Sequence, residues 1–183
     1  VASSSVILRT LREAAASKPE SPAAAQASAY FPNVELLTQD GAKVRFYDDV
    51  LKGKTVLINF MFTSCTAVCS PMTANLARVQ QFLGERLGRD IVMISITVDP
   101  QADTPAVLKN YAARFGVKPG WYFLTGSKTN VDAALSKLGG YVEEKNQHSS
   151  VLIVGNVARG GWQKMLGVGN PEAIANVAID LAR

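Results

Sequence analysis

Residues 55–71 read TVLINFMFTSCTAVCSP, and the fold is decided by how this stretch is parsed. Its first eight residues are short, apolar and rich in β-branched and aromatic side chains. They follow the turn-like Lys52-Gly53-Lys54, so 55–62 is predicted to be a buried central strand. Its end, Ser70-Pro71, sets a capping hydroxyl before a proline whose missing N–H would have had no partner anyway, which predicts a helix over 71–87. Cys65 and Cys69 then occupy the loop between the C-terminal end of a central strand and a helix N-terminus, where open α/β sheets place their sites.

Working outward, the pattern repeats. Residues 91–98 (IVMISITV) form a second buried strand, and Thr104-Pro105 and Asn170-Pro171 start helices over 105–115 and 171–182. Further strands are predicted at 121–124, 149–154 and 162–166, with a helix over 130–138. Upstream, 34–37 and 43–46 flank Gln39-Asp40-Gly41 and read as a hairpin. Strands alternating with helices, closed by a terminal hairpin and helix, predict an α/β sandwich around a mixed sheet. Residues 1–29, rich in Ala and Ser with Pro19 and Pro22, read as a flexible linker with at most a short helix over 10–17, leaving 30–183 as the folded domain.

The chain has 183 residues, 48% of them hydrophobic and 19% charged, which suits one globular domain and excludes disorder throughout. No apolar run approaches the roughly 18 to 20 residues of a membrane span, so the chain reads as soluble. It begins at Val1 rather than Met, so the chain is read as a mature or trimmed form whose targeting signal or anchor has been removed. The net charge of +4 is scattered, not concentrated as a nucleic-acid footprint would be. Arg78, Arg86 and Arg89 read as a solvated face, and Phe60, Met61, Phe62, Met72, Trp121 and Trp162 as core or packing residues.

Two cysteines and one histidine are the informative scarcities. Cysteines at i and i+4 approach closely enough to bridge, to exchange disulfides or to share a soft metal ion. As a purely structural staple the pair would add little, because closing so short a loop constrains the unfolded chain only weakly. A helix N-terminus stabilises thiolates, so both thiol pKa values are expected to be lowered, Cys69 more than Cys65. Asp99, ending a buried strand beside the loop, reads equally as an acceptor near a metal or as a cap of its own turn.

The stretches 59–72 (NFMFTSCTAVCSPM) and 95–105 (SITVDPQADTP), with Leu108, Tyr111, Phe115, Trp121, Leu124-Thr125-Gly126 and His148-Ser149 after them, resemble the Sco/SenC family of copper-binding thioredoxin-fold proteins. The resemblance covers about residues 30–183 and implies a thioredoxin-like sandwich. It also implies a metal site made by Cys65, Cys69 and His148, with copper, as Cu(I) or Cu(II), as the ion. Such a set suits Cu(I), whereas structural zinc would want a fourth ligand. The sequence departs from the family pattern at Thr66, where proline is usual, at Gln147, where aspartate usually precedes the histidine, and in the 155–156 turn, which lacks an aspartate.

The function implied is a metallochaperone that delivers copper to a cuproenzyme such as a respiratory oxidase. The alternatives are a thiol-disulfide oxidoreductase acting on a partner's copper-site cysteines and, further off, a thiol peroxidase, for which Cys65 lacks an accompanying Arg. A periplasmic or equivalent extracytoplasmic setting, with the precursor tethered to a membrane, fits both the redox chemistry and the resemblance.

Overall fold

A computed structural model describes residues 20–145 and 150–183. The described chain runs α1 (Pro22–Tyr30), β1 (Glu35–Thr38), β2 (Lys43–Arg45), a π-helical turn (Phe46–Leu51) and β3 (Thr55–Met61). It continues with α2 (Cys69–Leu83), β4 (Ile91–Thr97), α3 (Pro105–Arg114), β5 (Trp121–Thr125), α4 (Lys128–Leu138), β6 (Val151–Asn156), β7 (Gly160–Leu166) and α5 (Pro171–Leu181).

The strands form one mixed sheet in the order β2-β1-β5-β4-β3-β6-β7. β3, β4 and β5 are parallel, and antiparallel pairs extend the sheet on both sides, with β1 on β5 and β6 on β3. β3 and β4 occupy the middle and are buried along their whole length, as continuous apolar runs require when helices cover both faces. One face packs α1, α4 and the π-helical turn, around Phe46, Ile58, Phe60, Ile94 and Leu135. The other packs α2, α3 and α5, around Leu57, Met61, Leu76, Met93, Phe123 and Ile174. The mixed sheet between helices and the β1–β2 hairpin, turning at Gly41 with φ 77°, are as the sequence predicts.

Three expectations change. Residues 22–29, read as part of a linker, lie in helix α1 (Pro22–Tyr30): Ser21 caps it by accepting from Ala24 N (3.1 Å), and Ala24 O accepts from the Tyr47 hydroxyl (3.1 Å). Residues 1–19, including the short helix expected over 10–17, lie outside the described residues. Arg86 is not a solvated side chain. Its guanidinium is clamped to Asp90 (2.5 Å) and reaches Ile179 O and Ala182 O at the end of α5. Trp162 keeps its expected strand and packing role, its ring 5.5 Å from that of Phe31, although it remains 40% exposed.

The first proline-marked helix start, Ser70-Pro71, also moves. α2 begins at Cys69 with Val68 in the capping position and no side-chain cap, so Ser70-Pro71 lies inside the first turn. Proline is tolerated there because first-turn N–H groups have no partner within the helix. Thr104 and Asn170 do cap α3 and α5 as predicted, accepting from Val107 N (3.4 Å) and Ala173 N (2.9 Å).

Candidate metal and thiol site

β3 ends at Met61 in the centre of the sheet, and the chain crosses from Phe62 to Val68 before α2 begins. Phe62 and Met72 are buried beneath this crossing, as are Phe60 and Met61 in the strand, so these side chains are core, as predicted. Cys65 N donates to Phe62 O (3.2 Å), which folds the loop back over the strand end. Cys65 is partly exposed, whereas Cys69 is fully buried, and both stand as thiols.

The environments of the two thiols drive their acidities apart. Burial pushes the Cys65 thiol up as the largest single influence. The Cys69 thiol and the main-chain N–H groups of Ala67, Cys69 and Val68 outweigh it, so the net shift is downward. For Cys69 burial dominates. Its hydrogen bond to Cys65 adds to the rise, a main-chain bond at Phe62 opposes it, and the charges of Cys65 and Asp103 reinforce it, carrying the thiol up to about 12. The expectation that both thiols are acidified, Cys69 the more, therefore fails for Cys69. Its place at the helix start gains less than its loss of solvent costs.

Asp103 is the residue that sequence reasoning passed over. It is 1% exposed, and its carboxylate accepts from Thr63 N (3.1 Å), from the Thr63 hydroxyl and from the Thr97 hydroxyl (2.6 Å). It thereby joins the cysteine loop to the end of β4. The signal stands in Asp103-Thr104-Pro105, where the acid immediately precedes the Thr104 cap. Asp99 takes a different role: its N–H donates to the Thr97 hydroxyl (2.9 Å) and its carboxylate pairs with Lys145 (2.8 Å), whose ammonium also sits 5.4 Å from the centre of the Phe62 ring. On the other side, Asn75 of α2 donates to Gly167 O (3.0 Å) and Gly169 O (2.8 Å), fixing the β7–α5 connection against the first turns of α2.

His148 and Gln147 lie outside the described residues, between Lys145 and Ser150. Among the described residues no group of three or more His, Cys, Asp or Glu side chains is placed to hold a metal ion. Two adjoining sulfurs, one reaching solvent, suit a soft monovalent ion and equally suit disulfide exchange.

The profile of the SCO1/SenC family matches residues 22–158. The chain is 36% identical over 125 residues to a SCO2-like protein of Rickettsia felis, covering 65% of this chain and 58% of that one. It spans about half the length of the curated relatives it matches. Among solved structures it is similar to a SCO1/SenC family lipoprotein from Bacillus anthracis (TM-score 0.71, 29% identity, 84% of this chain and 95% of that one). It is similar as well to BsSco, a Sco-family cytochrome c oxidase assembly protein in which a disulfide switch was identified (TM-score 0.68, 29% identity, 81% and 91%). A third is copper-bound ScoI from Bradyrhizobium japonicum (TM-score 0.66, 26% identity, 80% and 96%).

Proposed function

This chain belongs to the SCO1/SenC family, and from that premise we propose that it binds one copper ion through Cys65, Cys69 and His148 and delivers it to a cuproenzyme such as a respiratory oxidase. The observation that carries the reading is the placement of both thiols at the strand-to-helix crossing, Cys69 buried at the start of α2 and Cys65 partly exposed in the loop before it. Copper is the cargo in this reading. Thiolates supply the soft-ion preference, the imidazole extends the site to the harder divalent ion, and the partly exposed Cys65 is the ligand an acceptor reaches first. The copper-bound Bradyrhizobium japonicum relative supports the choice of ion.

The test is copper titration of the reduced chain. One ion per chain is expected, with tight binding abolished by Cys65→Ser or Cys69→Ser. His148→Ala should keep a weaker two-coordinate Cu(I) site while losing most Cu(II) affinity. Stoichiometric binding with unchanged spectra in either cysteine variant would overturn the two-thiolate site.

The contrast between the thiols favours a second reading, a thiol-disulfide oxidoreductase that reduces the copper-site cysteines of its partner. Cys65, the acidified and accessible sulfur, attacks the partner disulfide, and Cys69 resolves the mixed disulfide. The partner leaves as a dithiol and Cys65–Cys69 as the oxidised pair. BsSco's disulfide switch lends this support. The same dithiol serves both readings, and no observation favours a thiol peroxidase.

For location we infer an extracytoplasmic, membrane-tethered protein, periplasmic in a bacterium with two membranes, with residues 1–19 as part of the spacer. The lipoprotein relative supports the tether.

A further inference from the structure

On the sheet face opposite the cysteines, a cavity of about 620 Å³ opens between α1, the end of α4 and the β6–β7 hairpin. That volume lies within the roughly 300–1,000 Å³ usual for small-molecule sites. Its walls are aromatic: Tyr30 and Trp162 remain 52% and 40% exposed at its edge, and the buried Phe31 ring lies 5.5 Å from that of Trp162. The walls are also fixed in place. The Tyr30 hydroxyl donates to Lys137 O (2.8 Å), and the Trp162 ring lies over Gly155, where even a Cβ would come within 2.2 Å of it.

The charge of the cavity has one sign. Lys137 and Lys164 line it, no Asp or Glu does, and among the described residues neither lysine has a carboxylate within ion-pair distance. The Lys137 ammonium rests 5.0 Å from the centre of the Tyr30 ring. Exposed aromatics around a concave, cationic surface call for an occupant with a flat apolar body and a negative charge. The chain's own first 19 residues are a poor match, since Arg9, Arg12 and Lys18 outnumber Glu13 and would face the two lysines.

We propose that this cavity binds a small organic anion with a flat aromatic body, of the aromatic carboxylate or sulfonate class. The ring lies among Tyr30, Phe31 and Trp162, and the acid group meets Lys137 and Lys164. The site stands apart from the copper reading, because it lies across the sheet from Cys65 and Cys69 and uses neither.

The test is titration of the full chain with the fluorescent anion anilinonaphthalene sulfonate. Binding should saturate at one probe per chain and quench tryptophan emission. Trp162→Phe should remove that quenching, since Trp121 is buried elsewhere. The pair Lys137→Gln with Lys164→Gln should weaken binding about tenfold or more, the scale of losing charge-assisted contacts, while keeping the thermal transition of the parent chain. Cys65→Ser should leave binding unchanged. Equal affinity for the uncharged analogue phenylnaphthylamine, or undiminished binding by the double-lysine variant, would overturn the proposal. A dimer in sedimentation that the lysine changes dissociate would also overturn it, by assigning the face to a second copy.

Discussion

Asp103 accepts hydrogen bonds from both the main-chain N–H and the hydroxyl of Thr63, two residues before Cys65. The same carboxylate takes the Thr97 hydroxyl, so one buried charge holds the ends of two parallel central strands together at the point where the cysteine loop departs. Asp103→Asn replaces an acceptor by an amide whose N–H₂ must face donors. We expect a stability loss of about 2–4 kcal/mol, measured by denaturant unfolding, because a buried group left unsatisfied costs more than the bond it made. Asp99→Asn is the internal comparison. Its Lys145 partner is 43% exposed, and the change should cost under about 1 kcal/mol. Equal losses in the two variants would refute the anchoring role.

Alkylation followed by mass should find the thiols unequal. Cys65, its pKa lowered, reacts first and with a midpoint below that of an ordinary thiol. Cys69, raised to about 12 and buried, stays unmodified near neutral pH while the chain is folded. Because the folded state holds the Cys69 proton above the pH at which an unfolded thiol releases it, the unfolded chain binds fewer protons in that range. Stability is therefore retained below the ordinary thiol value and falls as pH climbs from there toward 12. Substituting Cys69→Ala should flatten that alkaline decline. A decline of unchanged slope would assign it to other groups.

Disulfide and copper should compete for the same sulfurs. Oxidation joins them at about 2.05 Å and removes both thiolates, so the oxidised chain should take up little copper, and bound copper should slow alkylation of Cys65. Thr66→Pro, restoring the family's usual residue in an exposed loop position, should shift the reduction potential of the pair more than the unfolding midpoint. Full copper uptake by a chain shown by mass to hold the intact disulfide would send the metal site elsewhere.

The central architecture was legible because its signals are local. Runs such as 91–98 have only one plausible environment, and Thr104 and Asn170 carry their caps beside their prolines. The same cap-and-proline signal stood at Ser21-Pro22, yet the Ala-rich residues after it have almost no apolar period, so helix α1 was read as linker. At Ser70-Pro71 the signal misled, since the helix needs no side-chain cap there and begins at Cys69. The cysteine pair was legible in the spacing. The opposite shifts of its thiols were not, because they depend on burial by Phe62, Met72 and the rest of a core assembled from distant strands. Asp103 likewise acquires its role only when β3 and β4 are side by side.

Gly155 and Trp162 face each other across the β6–β7 hairpin, and the contact leaves no room for a side chain. A Cβ at Gly155 would sit 2.2 Å from one ring atom of Trp162 and 2.4 Å from another, with the ring backed by Phe31 at 5.5 Å. Gly155→Ala must therefore displace the indole outward, at a cost of about 1–3 kcal/mol for forced repacking. Tryptophan emission should shift to longer wavelength as Trp162 gains water, with Trp121 contributing an unchanged buried signal. Gly53→Ala separates this effect from the general cost of losing a glycine. Its Cβ meets nothing within 4 Å, so only its φ of +73° is strained, and it should cost about 1–2 kcal/mol without moving the emission. An unshifted spectrum in Gly155→Ala would mean that the indole is held by something other than its seat on the glycine.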